Sequence, residues 1–248
     1  MISTNISLSD GNKDYRDIIG FYFAKWFDEP FTVDVLNRTH FRNLSFKLTS
    51  IQNDRLHRDY EFIGLDNKIH YVDSKTHYHN FEYEKTKVTS RAADVITIGQ
   101  YALHSQTEFI SFVYRQKIYF IHHLSINSVT PIHTQVSKGQ NNKTQTLSHY
   151  SVESLINLPT TYFTEIPTSM WECYEEAYKL YIYYKTDVFE HFSPKKKDTS
   201  SNIEYNFQAA ESMRIHLLPI IENFNKIYDE LPKEDENAVL SEIYSLLN

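Results

Sequence analysis

Apolar positions along the chain fall into helical, alternating and aperiodic stretches. In residues 14–27, Ile18, Ile19, Tyr22, Phe23 and Trp26 recur at helical spacing as one stripe, which predicts a helix. Residues 41–51 alternate weakly and predict a strand. Residues 60–64 are short and apolar, and 65–68 are polar. In 69–75, Ile69, Tyr71 and Asp73 alternate with His70, Val72 and Ser74, so the three pieces together predict a β-hairpin. A helix is predicted over 90–103, capped by Ser90, with Ala93, Ile96, Ile98 and Tyr101 on its apolar side. Strands rich in Phe, Ile, Val and Tyr follow at 109–114 and 118–122, with a tight turn at 115–117. Residues 137–148 and 193–201 are polar, lack periodicity and read as linkers. Beyond Pro167 the pattern is helical over 169–189, 203–228 and 238–247, and Pro219 is expected to kink or interrupt the second of these.

The order helix, strands, helix, strands, helices predicts an α/β protein. Its mixed central β-sheet would be flanked by helices, with a helical C-terminal part over 168–248. No internal repeat is visible, and 248 residues suit a single domain.

Composition narrows the chemistry. Glycine is scarce and no glycine-rich phosphate fingerprint occurs, so no nucleotide cofactor is expected. The one cysteine, Cys173, cannot form an internal disulfide, which points to a reducing, cytoplasmic compartment. Nothing electropositive surrounds Cys173 in the sequence, so it reads as a semi-buried helix residue rather than a nucleophile. The first 13 residues are polar, so no signal peptide is expected, and no run of 18 apolar residues suggests a membrane span. Net charge is −7, which argues mildly against a nucleic-acid partner. The charge is uneven, however. Arg55, Arg58, Lys68, Lys75, Lys85, Lys87 and Arg91 crowd one stretch, while acidic residues gather from Glu211 onward.

Asp73 and Lys75 are two apart on a predicted strand and therefore share a face. Whether Asp59 joins them depends on the turn. A two-residue loop at Asp66-Asn67 would pair Asp59 with Ser74. A three-residue loop, Leu65-Asp66-Asn67, would pair it with Asp73. The second is favoured, because it needs a left-handed residue at its third position and Asn67 tolerates that conformation. One face would then carry Asp59, Glu61, Asp73 and Lys75. Two carboxylates can hold Mg²⁺ and leave coordination positions for water and a phosphate oxygen. A lysine beside them can orient the water or stabilise developing charge. Together these are the parts of phosphodiester hydrolysis. The plain alternative is an exposed ion pair on a strand. A second Asp-x-Lys, Asp66-Asn67-Lys68, is read simply as turn residues.

On Asp59, Asp73-Ser74-Lys75, the predicted helix from Ser90 and the strand from Phe109, the chain resembles the PD-(D/E)xK nuclease superfamily, most closely type II restriction endonucleases. The resemblance covers residues 55–125, a catalytic core of about a third of the chain. It implies Mg²⁺ as cofactor, Asp59 and Asp73 as its ligands, Lys75 as the catalytic lysine, and double-stranded DNA as substrate. It further implies a homodimer whose twofold symmetry matches a short palindrome. Arg58 stands where the family's pattern has a proline, so Asp59, Asp54 and Glu61 all remain candidates for the first acidic ligand. Glu29 and Asp34 are candidates for a further acidic contribution from an early helix.

DNA contacts are expected in residues 76–90, directly after the catalytic strand. There Thr76, His77, His79 and Asn80 offer donors, and Lys85 and Lys87 suit phosphates. An ordinary polar connection explains this stretch equally well. A second candidate is 135–148, with Asn141 and Lys143, for which a mobile loop is the plain reading. Lys195-Lys196-Lys197 reads as a solvated run. His77 and His79 with a distant carboxylate could form a zinc site, although no closed zinc set occurs. Two rival functions stand beside restriction: a repair, transposon or defence nuclease, and a non-enzymatic interaction protein using the tyrosine-rich helix from Tyr174 to Tyr184. The interaction reading expects Asp59 and Asp73 not to converge.

Overall fold

The computed structural model describes residues 18–39, 44–50, 57–64, 66–77, 94–99, 107–138, 144–191 and 200–230. The chain opens with α1 (Ile18–Phe23), a π-helical segment (Ala24–Asp28) and α2 (Glu29–Leu36). Strands β1 (Lys47–Leu48), β2 (Tyr60–Ile63), β3 (Ile69–Ser74), β4 (Val95–Gly99), β5 (Phe109–Tyr114) and β6 (Lys117–His122) follow. Next come α3 (His123–Ile126), β7 (His133–Lys138), β8 (Thr144–Ser151), α4 (Val152–Ile156) and β9 (Thr161–Glu165). The long helices α5 (Thr168–His191) and α6 (Ser200–Glu230) complete the order. These elements form two compact units. One draws on Met1–Val35 and Ile166–Glu234, the other on Leu36–Glu165 and Asp235–Asn248.

The helical unit joins the early helix to the two long C-terminal ones through aromatic rings. Phe23 stacks on Tyr181 at 4.5 Å, and Phe31 packs against Tyr174 at 4.9 Å and Phe224 at 5.0 Å. Rings of this size each bury a large apolar area, and their close pairs add roughly 0.5–1.5 kcal/mol beyond it. The early helix continues past its expected end at residue 27 to Leu36. Glu29 donates its backbone N–H to Ala24 O across five residues, a wider turn placed immediately before Pro30. Such a turn lets the helix pass a residue that has no N–H to donate. Pro219 likewise sits inside α6 without interrupting it.

The second unit holds a six-stranded mixed sheet in the order β1-β2-β3-β5-β6-β9 and a three-stranded sheet in the order β4-β8-β7. Only β3 and β5 pair in parallel. This is the mixed central sheet with helices that the element order predicts. Ile96, Ile98, Tyr150, Val152 and Leu155 from the small sheet and α4 pack against Ile110, Phe112, Tyr119 and Ile121 of the large one. Each such side chain contributes about 1.5–3 kcal/mol by leaving water.

The β2–β3 hairpin closes as the favoured loop requires. Asn67 has φ 58, the backbone N–H of Gly64 donates to Lys68 O at 2.9 Å, and Tyr60 lies opposite Val72. Asp66-Asn67-Lys68 is turn chemistry: Asp66 accepts from the Lys68 backbone at 3.0 Å and pairs with its ammonium at 3.0 Å.

Several expectations are corrected. Within the helix predicted over 90–103, Val95–Gly99 is the strand β4, and the remaining residues of that range apart from Asp94 lie outside the described ones. The run Val-Ile-Thr-Ile is β-branched, stiff at χ1 and suited to a pleated surface, which outweighs a loose helical spacing. The linker expected at 137–148 is largely the antiparallel ribbon β7–β8, in register from His133↔His149 to Lys138↔Thr144, with 139–143 outside the described residues. Of the strand predicted over 41–51, only Lys47–Leu48 is extended in this way among the described residues. Strand β9 and the short helices were not anticipated. The linker residues 193–199 and the helix predicted over 238–247 lie outside the described residues.

The β5–β6 turn is two residues long, with Arg115 at φ 45 and Gln116 at φ 59. Both adopt a left-handed conformation that Asn and Gly accept more readily. The double substitution Arg115→Asn, Gln116→Gly should therefore raise stability by about 1 kcal/mol. A urea midpoint that stays level or falls would contradict the assigned turn.

Candidate functional site

Three side chains gather at the end of β3. Asp59 lies one step beyond the last pair of the hairpin, Tyr60↔Val72, where its carboxylate is close enough to Asp73 to raise that group's pKa. Its backbone N–H donates to Val72 O at 2.9 Å, and its carboxylate Oδ2 accepts the Ser74 N–H at 2.7 Å. The carboxylate thus caps the strand end where the backbone ladder runs out. Lys75 Nζ lies 2.5 Å from Asp73 Oδ1, and the Lys75 backbone N–H donates to Ser111 O on β5 at 2.8 Å. The parallel neighbour therefore fixes where the lysine leaves the sheet.

Burial decides the electrostatics. Asp73 is 1% exposed and Asp59 8% exposed, while the Lys75 side chain keeps 21%. Loss of solvent raises the Asp73 pKa to about 7; Lys75 opposes the rise and Asp59 reinforces it. Asp73 Oδ2 is buried and accepts no hydrogen bond among the described residues. Two ionised carboxylates cannot donate to one another, so a shared proton or a cation would relieve the repulsion between Asp59 and Asp73.

The surroundings hold residues that the sequence pattern did not single out. His57 takes a left-handed φ of 59, and its carbonyl accepts from the buried Thr107 hydroxyl at 2.6 Å. Burial and then Lys75 hold its imidazole down at about 4, against the pull of Asp59, so it is neutral at neutral pH. Thr49 brings its hydroxyl to Asp59 O at 3.1 Å, and the Tyr60 hydroxyl bonds Ser111 Oγ at 2.5 Å. No periodicity marks these positions, because each is placed by a partner far off in the chain.

The other expected residues are more scattered. Glu61 shares the face with Asp59 but pairs with Lys47 at 2.9 Å. Arg58, in the proline's place, lays its guanidinium 4.3 Å from the Tyr71 ring centroid. Glu29 and Asp34 belong to the helical unit, where Glu29 is ion-paired with Lys25 at 2.7 Å. Thr76 is half-buried beside the site strand. His77 is buried, edge-on against Tyr114 at 5.2 Å. Asp54, His79, Asn80, Lys85, Lys87, Asn141 and Lys143 lie outside the described residues. Cys173 is buried near Asn223, and burial pushes its thiol pKa up, away from nucleophilic use.

Among the described residues no group of three or more His, Cys, Asp or Glu side chains forms a metal-binding cluster. Mg²⁺ does not demand one, since it keeps several waters and often takes only one or two carboxylates. The hard oxygens of Asp59 and Asp73, with the unsatisfied Oδ2, fit such an ion.

No helix among the described residues is long and apolar enough to cross a membrane. No family model, curated protein or solved structure matches the chain.

The raised Asp73 pKa has a sign. Between its ordinary value of 3.8 and about 7, the folded protein holds a proton that the unfolded chain has lost. This contribution to stability is therefore full below about 4 and lost as pH rises to about 7. In metal-free buffer Asp73→Asn should gain on wild type over that interval, by at least about 1.4 kcal/mol if the shift exceeds one unit. Urea unfolding of both proteins at pH 4.5 and 7.5 measures it. A constant offset between them would contradict the raised pKa.

Proposed function

We propose that this protein is a Mg²⁺-dependent deoxyribonuclease that hydrolyses phosphodiester bonds in double-stranded DNA, of the type II restriction endonuclease kind. The observation that carries the reading is the closeness of the Asp59 and Asp73 carboxylates, near enough for one to raise the pKa of the other, with Lys75 Nζ 2.5 Å from Asp73. The interaction-protein reading expects the two carboxylates apart. Of the α5 tyrosines it would use, Tyr174, Tyr181 and Tyr184 are buried in the helical unit, which leaves Tyr183 as the exposed ring.

Asp59 and Asp73 are the residues that would hold the cation, whose chemistry is to acidify a water and to neutralise charge on the phosphate. Lys75 orients the attacking water or stabilises the charge that develops on the phosphoryl oxygens. The Ser74 N–H fixes Asp59, and the bond from the Lys75 N–H to Ser111 fixes the lysine's strand, so both groups are held before substrate arrives. His57 is neutral at neutral pH, because burial and the nearby Lys75 oppose the cation that protonation would create, so it leaves Lys75 as the positive group beside Asp59 and Asp73.

Local charge supports a polyanionic substrate. Residues 36–165 carry 14 Lys and Arg against 11 Asp and Glu, although the whole chain is acidic. On this reading the active species is a homodimer whose twofold axis suits a short palindrome, and it acts in the cytoplasm. With strand β4 in place of the expected helix, the likeness to the family rests on the hairpin and the parallel strand β5.

The deciding measurement is cleavage of a mixed-sequence plasmid with and without Mg²⁺. Wild type should give discrete bands that need the metal. Asp73→Ala and Asp59→Ala should each lose a hundredfold or more of that rate, within the range for removal of catalytic groups. A metal-dependent smear would keep the nuclease and remove site specificity. No cutting by wild type would end the proposal.

A further inference from the structure

The ribbon β7–β8 presents a second feature that the catalytic end of β3 does not use. Between Glu108 and Glu153 the sequence contains no carboxylate side chain, in a chain with 32 Asp and Glu. The same interval supplies Arg115, Lys117, Lys138 and Lys143. The ribbon lies within it and forms one side of the small sheet, with β7 as its edge. Along β7 the face carrying Thr134 and Val136 is open, with Val136 72% exposed, while His133 and Gln135 on the other face are half-buried. On β8, Thr146, Leu147 and Ser148 are also half-exposed.

The described part of the ribbon offers hydroxyl, amide and imidazole groups and the exposed Val136, and carries no carboxylate. A twisted two-stranded ribbon of this width fits the major groove of B-form DNA, where hydroxyls and amides meet base edges and an apolar side chain meets the thymine methyl. Protein partners offer less reason for the missing carboxylates, because protein surfaces carry both signs of charge. A polyanion repels every carboxylate placed against it. We infer that the β7–β8 ribbon is a DNA-docking arm that presents Thr134 and Val136 to the major groove of duplex DNA. The inference rests on the nuclease reading only for the identity of the duplex as substrate.

The test is duplex affinity, measured by fluorescence anisotropy over a range of salt. It uses the full chain in an Asp73→Asn background, so that DNA is bound but not cut. Thr134→Glu with Val136→Glu should weaken binding at least tenfold. Thr134→Lys with Val136→Lys should tighten it and steepen its salt dependence. Both pairs alter exposed side chains, and unchanged thermal unfolding shows that the fold is kept. Affinity equal to the parent in both pairs overturns the inference, as does failure of the parent to bind duplex. A loss of affinity that accompanies dissociation of a dimer in light scattering also overturns it and assigns the β7 edge to self-pairing. If wild type binds duplex through the ribbon yet cuts nothing with Mg²⁺, the arm stands and the nuclease reading falls.

Discussion

The candidate site depends on the register of one hairpin. Side chains alternate along a strand, so a slip of one residue between β2 and β3 would pair Asp59 with Ser74 and turn it from Asp73. What prevents the slip is local. Asn67 accepts a left-handed φ, Asp66 bonds the Lys68 backbone, and Gly64 leaves room where a Cβ would meet the His70 ring at 2.5 Å. Three turn residues with no catalytic role therefore decide whether two carboxylates meet.

The second constraint is the burial of Asp73. A buried carboxylate is unfavourable unless it is paired, and here the pairing is incomplete. Lys75 serves one oxygen, Asp73 Oδ1, and Asp59 brings a second negative charge nearby. A structure selected for stability alone would place an apolar residue or a full ion pair at this position. An arrangement that holds two carboxylates together with one cation is short of positive charge, and that deficit gives a divalent ion a reason to bind.

Much of this was legible in the sequence. The hairpin, its loop length and the shared face of Asp73 and Lys75 follow from alternation and from the turn preference of Asn67, all of which act over a few residues. The strands at Phe109 and near Ile118 were legible for the same reason. Strand β4 was not, because Val95, Ile96 and Ile98 satisfy a loose helical spacing and a strand pattern alike. Only pairing with β8, some 50 residues later, selects the strand. The β7–β8 ribbon was hidden because its alternation is mostly polar against polar. His57 and Thr107 escaped because what joins them is a hydrogen bond across the fold rather than any spacing in the chain.

A net charge of −7 looks unsuited to the proposed action on DNA, but net charge is a sum over surfaces that a ligand never sees together. Screening limits the reach of an exposed charge to about 8–10 Å at physiological salt. The acidic excess lies outside residues 36–165, while the sheet unit in that interval is modestly cationic and its β5–β8 stretch carries no carboxylate. The carboxylates that remain near the site, Asp59 and Asp73, are nearly buried and lie close together. Placed there, they would repel an approaching phosphate in the absence of a cation. On the proposed reading, the same pair that a bare phosphodiester would avoid would attract it once a divalent ion is held.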